Sequence, residues 1–325
     1  MKPTAAEVER HRIAHYPYRR WCRECLEGQA VGDGHKASSS QPLFPIIGID
    51  YFYITKDSKF IMKNETESAN IDGAIKCLII RDRMTKCIFT MVVPQKGVDE
   101  DKWIVKQVVA AIEWLGHAKV LIKSDQERSL VALVKEAMKD LRVKEIAASD
   151  EESARYESQS NGATKAGVRI VRGAFRTLRL DLERRLGWQI PVDHPIMHWL
   201  LLHVSNMHNA LKVGDDGYTP WIRARGRPFN MPLCCFGEQV GYKHPGKGPL
   251  ANPRANMRPM WGAGTWLRVN VHSNEHVIAN QDGIHFAAKF ARRPTDEAWK
   301  TEPIAELQAT PHSLTARGKA AWSYL

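Results

Sequence analysis

The stretch from residue 43 to residue 149 constrains the fold most, because its apolar runs change period in a fixed order. LFPIIGIDYFYI (43–54) is a β-rich apolar run, and AIKCLIIRDRMTKCIFTMVVP (74–94) reads as two strands around a turn at Asp82–Lys86. VDEDKWIVKQVVAAIEWLG (98–116) reads as a helix, with acids in its first turn, where the helix dipole favours them, and Gly116 as its stop. AKVLIKSD (118–125) is a further strand, SLVALVKEAMKDL (129–141) a helix and VKEIAAS (143–149) a short strand. Such an alternation belongs to an α/β or α+β domain. A chain of 325 residues has room for one large domain or two smaller ones.

Around this centre the sequence divides by composition. Residues 1–28 form a compact basic segment with paired His and paired Cys, and residues 29–42 are small and polar, as in a linker. After the polar stretch 150–162, a long helix is expected from Ala163 to Leu186 and another over Pro195–Lys212. Past Gly214 the chain is rich in Gly and Pro, with short strands expected at 236–243, 265–271 and 275–292 and a hairpin signal at Asp282–Gly283. The expected division is a His/Cys segment (1–28), a linker (29–42), a core (43–230), a small β-module (231–295) and a tail without strong pattern (296–325). No apolar run has the length of a membrane span, the N-terminus lacks the apolar core of a secretory signal, and six cysteines are too few for a disulfide scaffold. A reduced compartment is expected.

Charge is unevenly placed. The chain carries a net +11, and about +10 of it falls in residues 161–325. Lys165, Arg169, Arg172, Arg176 and Arg179 recur at steps of four and three, which is one face of a helix. Val168, Val171, Phe175, Leu178 and Leu182 repeat one residue out of phase, so one stripe can pack while its neighbour presents cations. At about 1.5 Å per residue the row is roughly 20 Å long, enough to follow several phosphates of a nucleic acid. A solvated amphipathic face has the same pattern, but only Asp181 and Glu183 offset these charges locally.

His11 and His15 are spaced i, i+4, and Cys22 and Cys25 form a C-x-x-C knuckle in WCREC. Two imidazoles and two thiolates suit a tetrahedral structural Zn²⁺, which can hold a segment too short to fold alone. The alternatives are free side chains or a redox pair, and no thioredoxin-like strand precedes the knuckle. Four histidines on or beside 195–212 sit in an apolar helix and are expected to pack, as are Cys77, Cys87, Cys234 and Cys235.

Asp50 follows the apolar run FPIIGI, and Asp125 ends the strand AKVLIKS. Aspartate is a poor strand former. Both residues suit strand-end caps, and both suit a shared site for Mg²⁺ or Mn²⁺, which prefer hard oxygen ligands. In context, IGIDYFYI, IIRDRMTKCIFTMVVPQKG, LIKSDQERSL and ESQSNGATKAGVRIVRG together resemble, in order, the integrase core of copia-type retrotransposons, and GYTPWIRARGRPFNMPLCCFGEQVGYK (217–243) resembles the segment that follows it. The His/Cys cluster resembles the module that precedes such cores, with a shorter gap of six residues between His15 and Cys22.

The resemblance implies a ribonuclease H-like fold, a mixed five-stranded sheet with helices on both sides. It also implies metal-dependent strand transfer on DNA, a homo-oligomer when active, and a nuclear location. Carried over, Asp50 and Asp125 are the first two ligands of a two-metal site. The third, a glutamate three residues after the glycine of Asn161-Gly162, is here Lys165. An ammonium cannot ligate a divalent cation. Three expectations follow: an inactive centre, replacement by Glu157 from the polar stretch, or replacement by Glu127. A chain that only binds DNA, and a metal-dependent nuclease of the same fold, are the competing functional readings.

Overall fold

The computed structural model describes residues 3–28, 44–62, 73–152, 162–244 and 259–314. The linker 29–42 and Glu157 lie outside them.

The chain begins with two short helices, α1 (Ala5–Arg12) and α2 (Arg23–Gly28). The central sheet is built from β1 (Ile46–Ile54), β2 (Phe60–Met62), β3 (Ile75–Asp82), β4 (Ile88–Val92), β5 (Lys119–Ser124) and β6 (Ala147–Glu152). Its order is β4-β3-β1-β5-β6, with β2 paired antiparallel to the end of β1. β3 runs antiparallel to β1 and β4, while β5 and β6 run parallel to β1. That order and polarity make the mixed α/β sheet of a ribonuclease H-like fold.

Helices cover both faces, as a partly parallel sheet requires. β1 has no polar face, so its alternation divides the core in two. Ile47, Ile49 and Tyr51 pack under α3 (Trp103–Leu115) and α4 (Arg128–Val143). Phe52 and Ile54 pack on the other side with Val168, Val171, Phe175 and Leu178 of α5 (Gly162–Leu186) and with α6 (Pro195–Leu211).

After α7 (Pro220–Arg225) comes an antiparallel sheet of β7 (Gln239–Lys243), β8 (Trp261–Asn270), β9 (Glu275–Asn280), β10 (Gly283–Ala287) and β11 (Phe290–Arg292), in the order β10-β9-β8-β7-β11. Leu267, Val277 and Ala279 of this sheet enter the same core as α5 and α6. The Asn206 amide of α6 donates to the Val269 carbonyl at 3.0 Å.

Four local expectations shift. The acids expected in the first turn of the 98–116 helix precede it: α3 starts at Trp103, and the Asp99 carboxylate accepts from the N–H groups of Trp103 and Ile104. The strand expected at 143–149 runs over 147–152, because α4 continues to Val143 and the chain turns through Glu145 at a left-handed φ of 60°. The sheet has six strands where five were expected, because Phe60–Met62 pairs with the end of β1. The tail is not patternless: Ile304 of α8 (Glu302–Ala305) and, past it, Leu307 and Leu314 are buried in the core, and the Trp199 indole donates to the Ala309 carbonyl at 2.9 Å.

Candidate functional sites

Asp50 lies in the middle of β1, between Gly48 and Phe52 on the face covered by α5. The parallel register sets Ile49 opposite Ser124, so Asp50 and Asp125 are the next positions on neighbouring strands about 4.8 Å apart. α5 reaches this point because Gly48 has no side chain: a Cβ there would stand 2.3 Å from the Thr164 hydroxyl. Arg81 fixes the same turn by donating to the Ala163 carbonyl. Lys165 follows Thr164 directly and acts on Asp50 as a neighbouring positive charge.

The balance of forces on Asp50 is legible. Burial pushes its pKa up to about 7, helped by the negative charges of Asp125 and Glu127. The Tyr51 N–H, donating at 2.8 Å, and the Lys165 ammonium act the other way. Glu127 has its own partners. Its carboxylate lies 2.6 Å from Lys96 Nζ and accepts from the Ser129 hydroxyl at 2.7 Å, and the Lys96 ammonium also sits over the rings of Tyr51 and Tyr53. Asp125 accepts from the Gln126 N–H at 2.8 Å.

These residues do not fit two divalent ions. Two ions bring four positive charges, and the described donors are one buried carboxylate that resists ionisation, one partly exposed carboxylate, and a glutamate engaged by lysine. Lys165 brings a further positive charge to Asp50. The sequence singled out Asp50, Asp125 and Lys165 as candidates; Lys96, which engages Glu127, carried only the signal of a basic residue just after a strand.

The second cluster is at the N-terminus. His11, His15, Cys22 and Cys25 are all buried, and their ligand atoms lie within 4.8 Å of one another. Cys22 Sγ is 3.3 Å from His15 Nδ1, Cys25 Sγ is 3.3 Å from His11 Nε2, and Cys25 Sγ is 3.8 Å from His15 Nδ1. Metal bonds of about 2.0–2.3 Å in a tetrahedron give ligand–ligand edges of about 3.3–3.8 Å, which these three distances match, so the donor set suits zinc once its wider pairs, up to 4.8 Å, close around the ion.

The imidazoles are not on successive turns of one helix. α1 ends at Arg12, and His15 has a left-handed φ of 56°. A left-handed conformation at a non-glycine residue costs on the order of 1–3 kcal/mol and persists only where the surroundings fix it.

The core helix supplies that fixing. Asp181 of α5 stands 3.7 Å from His15 Nε2 and 2.8 Å from Arg185 Nε, and the Arg185 guanidinium lies over the Trp299 ring. Burial disfavours the His15 cation, yet the nearby Asp181 carboxylate and the Cys22 sulfur more than offset it and lift the pKa to about 9. Arg184 pairs with Glu24 at 2.5 Å and also with Glu27. Gly28 lies against Thr177 so closely that a Cβ there would overlap it. Asp181 was read from the sequence as a local counter-charge only. Its signal was its place three residues after Leu178, on the buried stripe.

The arginines of α5 divide into two groups. Arg179, expected in the basic row, is held inside the fold by Glu183 at 2.9 Å, Ser58 at 2.7 Å and the Ile190 carbonyl at 2.7 Å. Arg184 and Arg185 are paired as described. Arg169, Arg172 and Arg176 have no acidic partner among the described residues. Also among the described residues, no helix is long and apolar enough to cross a membrane.

No protein-family model matches the sequence, and no curated protein does. Among solved structures, the chain is similar to a cryoEM structure of the simian T-cell lymphotropic virus intasome in complex with PP2A regulatory subunit B56 gamma: 14% identity over 88% of this chain and 98% of that one, TM-score 0.39. It is also similar to a crystal structure of the catalytic core domain of BIV integrase, at 14% identity over 55% of this chain and 92% of that one, TM-score 0.34.

Proposed function

We propose that this chain is a DNA-binding protein of integrase type, derived from a copia-type retrotransposon and acting in the nucleus, whose strand-transfer chemistry is suppressed by Lys165. The observation that carries the reading is the Lys165 ammonium beside the Asp50–Asp125 pair, at the head of a helix bearing a row of arginines. A positive charge near that point repels divalent cations, and burial holds Asp50 back from ionising, so the pair binds them poorly. What remains is a cationic helix suited to phosphates and a folded core that presents it.

The same reading assigns a structural Zn²⁺ to the N-terminal cluster, held by His11 Nε2, His15 Nδ1, Cys22 Sγ and Cys25 Sγ. Four protein ligands close the coordination sphere, so the ion lends stability and no chemistry. Asp181 orients His15 from the far ring nitrogen, and the unit is locked against α5.

A strand-transfer assay with Mn²⁺ and a short DNA duplex tests the reading, comparing the wild-type chain with Lys165→Glu. The expected result is no joining by the wild type and measurable joining by the variant. Joining by the wild type that is lost in Glu157→Gln would replace this reading with an active centre completed from the polar stretch. Hydrolysis without joining would favour a nuclease.

A further inference from the structure

Two helices and the N-terminal unit enclose a cleft of about 240 Å³, lined by Tyr16, Gly28, Arg169, Arg172, Arg176 and Lys212 among others. Its lining includes four cations and no acid. We propose that this cleft is a phosphate-binding groove for one backbone strand of DNA, with Arg169, Arg172, Arg176 and Lys212 as its cations. The proposal rests on the DNA-binding reading above and places the contact on a composite surface. α5 is the floor, the end of α6 brings Lys212, and Tyr16 of the N-terminal unit forms a wall.

Three observations support it. First, α5 carries six arginines. Those holding the fold together, Arg179, Arg184 and Arg185, all have carboxylate partners. The three that line the cleft have none among the described residues, and neither does Lys212.

Second, the surroundings register crowding of like charge. Arg81 is lowered by burial and by the charges of Arg83 and Arg169. His208 is lowered to about 3 by burial, then by Arg81 and Lys212. An anion in the cleft relieves this repulsion.

Third, the wall is built in. The Tyr16 ring stands edge-on to His208 at 6.4 Å, and Gly28 is pressed against Thr177, so both helices and the N-terminal unit meet at the cleft. Arg172 is half-buried, where a charge-assisted phosphate contact is stronger than on an open face.

The experiment measures binding of the full chain to a fluorescently labelled DNA duplex by anisotropy across a salt series. The wild type is compared with a triple variant, Arg169→Gln, Arg176→Gln and Lys212→Gln. A control replaces Lys106→Gln and Lys135→Gln, exposed on α3 and α4 across the sheet. Neutral glutamines on exposed or partly exposed positions keep the fold, and unchanged zinc content and thermal midpoint verify it.

The expected result is a salt slope shallower by about one unit for each cation removed, with the control unchanged. Affinity at fixed salt should fall about tenfold or more in the triple variant alone. A triple variant with the wild-type slope, in a protein that binds DNA, overturns the groove and leaves the DNA-binding reading standing. Equal losses in the triple variant and the control overturn the groove in favour of diffuse attraction. A wild-type chain with no DNA affinity overturns both.

Discussion

The N-terminal cluster and the Asp50–Asp125 pair both gather ligand-type side chains, and they differ in what balances their charge. Among the described residues, no lysine or arginine side chain hydrogen-bonds to His11, His15, Cys22 or Cys25. Asp181 faces the outer nitrogen of His15 and leaves Nδ1 turned to the thiols. Around Asp50 the protein has supplied cations of its own. Lys165 acts on Asp50, and Lys96 engages Glu127. On the proposed reading, converging ligands admit an ion only where the fold has left a charge for it to balance. The two sites also share one scaffold, since α5 brings Lys165 to one and Asp181 to the other, about four turns apart.

The comparison breaks most visibly if the N-terminal site is empty in solution. Purified protein should hold one zinc per chain by elemental analysis, and Cys22→Ser should lose it. Structural zinc contributes apparent binding energies on the order of 10 kcal/mol in small domains. Its loss should therefore release residues 1–28 from α5, lower the thermal midpoint and expose the segment to protease. Native protein without zinc, unaffected by the substitution, would remove the contrast.

A second effect sharpens the other half. Asp50 has an ordinary value of 3.8 and is raised to about 7 in the fold. Between about pH 4 and pH 7 the folded chain then holds a proton that the unfolded chain has released, so stability falls as pH rises through that window. Asp50→Asn removes the term. The variant should match the wild type near pH 4 and exceed it above pH 7 by on the order of a few kcal/mol, measured by urea unfolding. A variant less stable than the wild type at pH 8 would mean that the charged carboxylate is fully compensated in the fold.

The smallest effect concerns the shared helix. Asp181→Asn keeps the shape and removes the charge behind His15. Zinc affinity should drop about 10–100-fold by competition with a chelator, the usual scale for a carboxylate behind a histidine ligand. No change would assign Asp181 to the Arg185 pair alone.

Much of this was legible in the sequence where the local pattern itself carries the physics. The apolar runs place Asp50 within β1 and Asp125 one residue past the end of β5, and the two out-of-phase stripes of 162–186 separate a packing face from a cationic one. The His/Cys spacing identified a ligand set, but not that His15 leaves the helix. What stayed hidden depends on partners distant in sequence. Arg169 and Arg179 look alike on a helical wheel, yet Ser58 and Ile190 claim Arg179 while Arg169 faces a cleft. Lys212 has no local signature, because its neighbours come from residues 16 and 169–176. The tail looked patternless because its few apolar residues, Ile304, Leu307 and Leu314, fill gaps in a core already formed by other elements.

The claim beneath all of this is that Lys165 keeps a divalent ion from settling on Asp50 and Asp125. Calorimetric titration of Mn²⁺ into the zinc-loaded chain tests it most directly, with Lys165→Glu alongside. The wild type should show no binding at submillimolar Mn²⁺, and the variant should bind through Asp50 and Asp125. Tight binding by the wild type, abolished by Asp50→Asn, would contradict it.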